Sequence, residues 1–311
     1  MAVANEVNFH SPVLLNESIE YLFSSPNGIY VDGTVGGGGH AEALLRKCDS
    51  RAKLYAFDLD EDAIRIASER LSKFGSRCEF IHENFSLMVS ALNARQIYAV
   101  DGILLDLGVS SFQLDEASRG FSFRSSERLD MRMNRQQALD AFQIVNEYSE
   151  QSLAEIFWKY GEERNSRRIA KTLVQKRAIH PIVTTGDLEK VIRQAVGGRF
   201  IVKTLARIFQ AIRIAVNNEL ENLQQALHDG IELLKPNGRI VVLSYHSLED
   251  RIVKQVFREY ASPLQISDGG AAKLRESQIT LLTKKPIQAS EEEVKRNPRA
   301  RSAKLRAAEK R

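Results

Sequence analysis

Three short stretches of the chain carry residue types that could do chemistry together. The first is Asp32-Gly33-Thr34-Val35-Gly36-Gly37-Gly38-Gly39-His40, which closes an apolar run and opens a helical pattern through Ala41 to Leu45. Four successive glycines remove every Cβ where the backbone turns, so a ligand can lie directly against the main chain. Gly36, Gly38 and Ala41 also fit the G-x-G-x-x-A form of a dinucleotide fingerprint, a weak signal by itself. Asp32 discriminates, because an acid beside the loop repels a pyrophosphate and attracts the ammonium and sulfonium groups of S-adenosylmethionine. Asp58 ends the next apolar run, about 20 residues beyond the loop, where an acid can accept both ribose hydroxyls. Asn84 and Phe85 follow a third run, placed to bracket an adenine by hydrogen bonding and stacking.

The second stretch, Asp106-Leu107-Gly108-Val109-Ser110-Ser111-Phe112-Gln113, ends a fourth apolar run with an acid, a glycine and two hydroxyls. It suits the mouth of an acceptor pocket opposite the glycine loop. Methyl transfer from a sulfonium is an in-line displacement that needs alignment and deprotonation of the nucleophile and no metal. Asp106, Ser110 and Ser111 are the candidates for that work. The third stretch is Ser244-Tyr245-His246-Ser247-Leu248-Glu249-Asp250-Arg251. Ser247 and Asp250 have capping-box spacing, and His246 is a candidate for lining the acceptor pocket. His246, Glu249 and Asp250 have no second ligand cluster to complete a metal site, so no metal is expected. A cytosine C5 methyltransferase needs a nucleophilic cysteine near the fourth run, and Cys48 and Cys78 both lie far upstream of it. The Asp/Asn/Ser-Pro-Pro-aromatic tetrapeptide of many amino-methylating DNA enzymes is missing too. Residue chemistry therefore leaves amino nitrogen and hydroxyl acceptors both open.

These residues require elements to hold them. Apolar runs at Ile29 to Asp32, Leu54 to Asp58, Cys78 to His82 and Val100 to Leu107 alternate with helical patterns such as Asp60 to Lys73. The alternation predicts an α/β fold with a mostly parallel sheet buried on both faces. After Arg135 the strand signal gives way to helical stripes: Leu153, Ile156, Phe157 and Tyr160; Ile169, Leu173 and Val174; Leu188, Val191 and Ile192. Strand character returns at Arg239 to Tyr245 after a Lys235-Pro236-Asn237-Gly238 turn, with two late strands at Ile279 to Lys284 and Arg301 to Ala308. The expected organisation is a first sheet segment over 1–135, an inserted helical domain over 136–215, and a second sheet segment over 216–311 that ends in a basic tail.

Charge follows the same division. The chain of 311 residues carries a net +4, but residues 151–215 hold 13 Lys or Arg against 5 Asp or Glu, and residues 295–311 hold 8 against 1. Two basic zones on an acidic body suit a polyanionic partner. A composition of 43% hydrophobic and 27% charged residues excludes disordered and collagen-like classes. No apolar run reaches the roughly 18 residues of a membrane span, and the first residues lack a secretory pattern, so a cytoplasmic location is expected. Two cysteines are too few for a disulfide framework.

Taken together, HSPVLL (10–15), DGTVGGGGH (32–40), DGILLDLGVSS (101–111), RGFSF (119–123), LDMRM (129–133), YGEER (160–164), FQAIR (209–213), VNNEL (216–220), SYHSLEDRIVK (244–254) and NPRARSAKLR (297–306) closely resemble the RsmH (MraW) family of bacterial ribosomal RNA small-subunit methyltransferases. The likeness runs nearly end to end. It implies a class I S-adenosylmethionine-dependent methyltransferase fold with an inserted helical domain for RNA, acting on N4 of a cytidine in the decoding region of 16S rRNA. It also implies that Gly38, Gly39, His40, Asp58, Phe85, Asp106 and Gln113 contact the methyl donor. On that footing Asp106 holds the cytosine amino group, His246 helps to remove its proton, and Tyr160, Arg164, Arg168 and Arg213 contact the RNA. A homodimer is a possible assembly. The competing readings are a non-catalytic S-adenosylmethionine-sensing RNA-binding protein, against which the Asp106 to Ser111 mouth argues, and a methyltransferase for another RNA or a small molecule. Salt-independent substrate affinity would favour the last of these.

Overall fold

The computed structural model describes residues 12–109, 116–198, 200–266, 272–274 and 276–311. They form two compact units, one from residues up to Gly108 together with Leu220–Arg311, the other Val109–Glu219.

The first unit begins with α1 (Leu15–Leu22), β1 (Ile29–Asp32), α2 (Gly39–Lys47), β2 (Lys53–Phe57), α3 (Glu61–Leu71), β3 (Cys78–Ile81), α4 (Met88–Asn93) and β4 (Val100–Asp106). The second unit contributes α5 (Ala141–Glu147), α6 (Glu150–Lys159), α7 (Ser166–Arg177), α8 (Thr185–Val196) and α9 (Ile201–Asn217). The chain then returns through α10 (Glu219–Leu233), β5 (Leu234–Ser244), α11 (Ser247–Ala261), a β6–β7 hairpin (Leu264–Ile266 and Ala272–Leu274), β8 (Ile279–Leu281), α12 (Glu291–Arg296) and β9 (Lys304–Lys310).

The main sheet has the order β3-β2-β1-β4-β5-β9-β8. Strands β1 to β5 pair in parallel, and β9 runs antiparallel to both neighbours. Because side chains alternate across a strand, Val31, Ile103, Leu105 and Val242 enter one core with Met88, Leu227 and Phe257. Tyr30, Leu104, Val241 and Leu243 enter the opposite core with Leu22, Leu44 and Leu71. Burial on both faces explains why these strands read as continuous apolar runs. The strand order reverses between β1 and β4, where open α/β sheets leave a ligand crevice at the carboxyl ends of their strands.

Two features of this unit differ from the sequence expectation. The Lys235 to Gly238 turn does not precede β5 but lies inside it as a bulge. Pairing with β4 jumps from Val100↔Leu234 to Gly102↔Arg239, and Asn237 takes φ 64°. The late strand expected at Arg301 to Ala308 is present but shifted along the basic tail, with Lys304–Lys310 forming β9 and Leu305, Ala307 and Ala308 buried. Two of the tail's cations are paired: Arg306 Nε donates to Asp250 Oδ1 at 2.7 Å, and Lys304 Nζ to Asp250 Oδ2 at 3.3 Å. Burial works against the Asp250 charge, yet the hydrogen bonds from Arg306 and Lys304 hold its carboxyl below the usual range. Asp250→Ala leaves Arg306 buried without its counter-ion, so stability should fall by about 3 kcal/mol. Thermal melting checks this, and an unchanged midpoint would show that β9 is docked by its apolar residues alone.

The helical unit is built as the stripes predict. Leu153, Phe157, Ile169, Leu173, Leu188, Val191 and Ile192 share one core with Leu205, Ile208, Phe209 and Ile212. Capping boxes at Asp140 with Gln143 and at Thr184 with Asp187 start α5 and α8. The unit extends upstream of the expected boundary at residue 136. Phe121, Leu129 and Met131 belong to its core, and Asn217 ties that segment to α9 by accepting from Met133 N and donating to Met131 O, each at 2.8 Å. Among the described residues, no helix is long and apolar enough to cross a membrane.

Candidate active site

Three carboxylates gather at the carboxyl ends of the strands that flank the switch point. Asp32 closes β1, Asp58 follows β2 and Asp106 closes β4. The glycine loop is fastened to both neighbours of β1, since Gly33 N donates to Leu104 O at 2.8 Å and Val35 N to Phe57 O at 2.9 Å. A Cβ on Gly33 would lie 2.5 Å from Leu105 Cδ2, which explains the need for glycine there. Gly36 and Gly38 take φ of 49° and 76°, and Gly38 in this left-handed state caps α2. Pro12 packs on Gly39 so closely that a Cβ there would come within 2.2 Å of its ring.

Backbone amides hold the acids in place. Gly36 N donates to Asp58 Oδ2 at 2.9 Å and Asp60 N to Asp58 Oδ1 at 3.0 Å. Thr34 N donates to Asp32 Oδ1 at 3.1 Å, while the Thr34 hydroxyl accepts from Asp106 N at 2.6 Å. The buried His40 ring lies between two acceptors, with Nε2 3.1 Å from Val13 O and Nδ1 3.5 Å from Asp106 Oδ2. A carbonyl can only accept, so Nε2 carries a hydrogen, and the His40–Asp106 pair is attractive when it holds one further proton. The Tyr245 hydroxyl donates to the other Asp106 oxygen, Oδ1, at 2.7 Å.

Burial pushes Asp32 up to about 7, opposed by the Thr34 amide and aided by the charges of Asp106 and Asp58. Burial likewise pushes Asp58 up to about 6, against the amides of Asp60 and Gly36. Asp106 is raised by burial and drawn back by His40 and by the Tyr245 hydrogen bond. Among the described residues no cation acts on Asp32 or Asp58, and a cationic ligand at the strand ends supplies a counter-charge. The Asp58 carboxylate offers about four acceptor sites and meets the amides of Asp60, Gly36 and Leu59, which leaves capacity for a ribose hydroxyl. The donor set therefore fits S-adenosylmethionine.

Other expected residues fall in different settings. Phe85 opens a short 3-10 turn (Phe85–Leu87) beside Gly33, and Asn84 caps that turn through Ser86 N at 2.9 Å, so its amide oxygen is engaged locally. His246, not Ser247, is the N-cap of α11, and its capping-box partner is Glu249. Its Nδ1 accepts from Glu249 N at 3.4 Å, which leaves the hydrogen of the neutral ring on Nε2, 3.1 Å from Glu249 Oε1. Held this way the ring serves α11 as its N-cap. Ser110, Ser111 and Gln113 lie outside the described residues.

In the helical unit, Tyr160 ends α6 with Lys159 Nζ 4.8 Å above its ring. Arg164 and Arg168 are exposed, as are Arg167 and Lys171. Arg213 is instead engaged by Glu219 through two hydrogen bonds of 2.8 Å, so its charge is answered within the unit. The residue that sequence reasoning passed over is Tyr245. The register pairs Asp106 with Leu243, which puts Tyr245 two positions on and at the same strand end as Asp106.

A parallel sheet in this order, with a glycine loop after β1 and acids closing β1 and following β2, defines a class I S-adenosylmethionine-dependent methyltransferase. A model of the MraW methylase family matches residues 7–311, and the chain belongs to that family. It is 46% identical over 301 residues to the ribosomal RNA small subunit methyltransferase H of Clostridium botulinum (strain Loch Maree / Type A3), covering 96% of this chain and 97% of that one. It is 46% identical over 312 residues to the protein of the same name from Phocaeicola vulgatus, covering 100% of both. The Heliobacterium mobile protein of that name is 47% identical over 313 residues, covering 97% of this chain and 98% of its own.

A pH dependence follows from the raised acids. Their folded values lie above the unfolded 3.8, so in the ligand-free chain their contribution to stability is full below that value and is lost as pH rises through about 6 to 7. A cationic donor favours the ionised acids and reverses the trend for binding. Affinity for S-adenosylmethionine should rise about tenfold from pH 6 to 8, with proton release on binding at the lower pH. Titration calorimetry in buffers of different ionisation enthalpy reads both quantities, and a flat affinity without proton release would contradict the electrostatic account.

Proposed function

We propose that the protein methylates N4 of a cytidine in the decoding region of 16S rRNA, acting in the cytoplasm on the small ribosomal subunit. The observation that carries this reading is an exposed basic face, Arg164, Arg167, Arg168 and Lys171, in a family methylase whose near-full-length relatives are named for small-subunit rRNA. Among the described residues none of these four cations has an ion-pair partner, so they are free to meet phosphates. Tyr160 stands at the start of this segment and offers a ring on which a splayed base can stack.

The bound donor supplies an electrophilic methyl group on a sulfonium. Everything else falls to the chain. The cytosine amino group is a weak nucleophile because its lone pair is delocalised into the ring, so an acceptor must hold an N–H bond and take the proton. Asp106 does this through its carboxylate, and the hydroxyls of Ser110 and Ser111, a few residues on in the sequence, are the further candidates for hydrogen bonding to the acceptor. Asp32 and Asp58 hold the cationic and ribose parts of the donor, and the glycine loop lets it approach the backbone. Tyr160, Arg164 and Arg168 keep the target strand in place with the base turned out of its stack.

The test is transfer of labelled methyl to small subunits that lack the modification, followed by nuclease cleavage and fragment mapping. Label is expected in the fragment that contains the decoding region. Label confined to another fragment would overturn the assigned site, and no label despite measurable donor binding would favour a non-catalytic sensor.

A further inference from the structure

We propose that Tyr245 is a positioning residue for methyl transfer: its hydroxyl, fixed at the end of β5, keeps Asp106 an anion aimed to receive the acceptor's proton. The inference rests on the reading above, in which Asp106 meets the amino group.

Tyr245 is held independently of the acid it serves. Its backbone N donates to Glu249 Oε2 at 2.8 Å, and its ring lies against Gly108, where a Cβ would be 3.4 Å from Tyr245 Cδ2. The phenol therefore presents a donor that is already oriented before substrate arrives, which is the geometry that makes a hydrogen bond to a charge effective. Its own proton is secure, because burial and the adjacent Asp106 charge raise it well above the usual tyrosine value.

Among the described residues, the groups that face Asp106 come from four elements. His40 on α2 and Tyr245 after β5 favour the anion; Glu249 on α11 opposes it, and Asp32 at the end of β1 and Asp106 oppose each other's charge. Burial also opposes it. Tyr245 is the only one of the four that acts by a hydrogen bond from a neutral donor, so its contribution does not depend on its own titration below the phenol range. The division of labour is geometric as well. Tyr245 takes Oδ1, His40 stands 3.5 Å from Oδ2, and the Thr34 hydroxyl anchors the Asp106 backbone.

The step balances. A bond forms between the amino nitrogen and the methyl carbon while the carbon–sulfur bond breaks, and the sulfur keeps that electron pair and loses its positive charge. The proton leaves nitrogen for the Asp106 carboxylate. A cation and an anion are thereby converted into a neutral thioether and a neutral acid, so the acid has to be ionised at the start and able to accept a proton at the end. Tyr245 secures the first condition, and burial of Asp106 provides the second.

The test is the pH profile of single-turnover methyl transfer to small subunits at saturating S-adenosylmethionine. Removing the phenol raises the Asp106 titration, so Tyr245→Phe should move the acid limb up by about one pH unit. That is about a tenfold lower rate on the limb, with recovery at higher pH and donor affinity changed less than about threefold. A second preparation, the natural sequence carrying fluorinated tyrosines, makes the phenol a stronger donor and should move the limb to lower pH; it does not depend on the folding of the variant. An unmoved limb in the fluorinated protein, or a loss in Tyr245→Phe that is equal at every pH, would overturn the proposal. The underlying reading fails separately: Asp106→Asn with a near-natural rate would remove Asp106 from the chemistry, whereas an inactive Asp106→Asn with unmoved limbs would remove Tyr245 alone.

Discussion

Asp106→Asn is expected to lower the single-turnover rate of methyl transfer by about 10³-fold, the scale associated with losing a positioned proton acceptor. Asparagine keeps the size of the side chain and can still accept the Tyr245 hydroxyl through its carbonyl oxygen. It cannot accept a proton from the amino group at neutral pH, and it places an NH2 group where a carboxylate oxygen faced His40. Donor affinity should change much less than the rate, because Asp32, Asp58 and the glycine loop remain. Rapid-quench transfer at saturating donor, read beside calorimetric binding, separates the two effects. A rate near that of the natural protein would mean that another group takes the proton.

The second large effect belongs to the helical unit. Arg164→Glu combined with Arg168→Glu should weaken binding to small subunits by at least about 100-fold at low salt, and should flatten the salt dependence by about two units of slope. Both side chains are exposed, and among the described residues neither has an ion-pair partner, so reversal leaves no buried charge and the fold should persist. Asp32, Asp58, Asp106 and the glycine loop belong to the sheet unit, so affinity for S-adenosylmethionine should stay as it was. Filter binding across a salt series checks the first expectation. Equal loss of donor and RNA binding would point to damage of the fold and not to a lost contact.

Much of this architecture is legible in the sequence, for a physical reason. Strands buried on both faces need apolar residues at most positions, and β1 and β4 accordingly stand out as Tyr30-Val31 and Ile103-Leu104-Leu105, whereas β3 at the sheet edge keeps an exposed Glu79. The glycine loop is legible because glycine adopts the left-handed turns at Gly36 and Gly38 without the steric cost that a side chain would add. The helical stripes are legible because Leu153, Phe157, Ile169 and Leu173 repeat at the helical period.

What stayed hidden depends on partners far apart in the chain. The strand character of Arg301 to Ala308 is legible, but what answers its charges is not: Asp250, more than 50 residues upstream, pairs with Lys304 and Arg306 while Leu305 and Ala307 enter the core. His246 reads as a pocket residue because histidine is an infrequent N-cap, and only the Glu249 amide shows where its lone pair goes. The start of the helical unit at Val109 is obscured by an irregular segment whose apolar residues, Phe121, Leu129 and Met131, have no period to reveal them. Tyr245 lies inside the 244–254 motif without a role that its residue type reveals; that role comes from the register that sets β5 beside β4.

The central claim is that this acid-lined pocket transfers a methyl group to the exocyclic amino group of a cytidine. Its most direct test is the identity of the nucleoside that carries label after a single turnover on unmodified small subunits, resolved by chromatography and mass spectrometry. The account predicts label in N4-methylcytidine, with the yield lost in Asp106→Asn. Label in a ribose-methylated or ring-carbon-methylated nucleoside would contradict it.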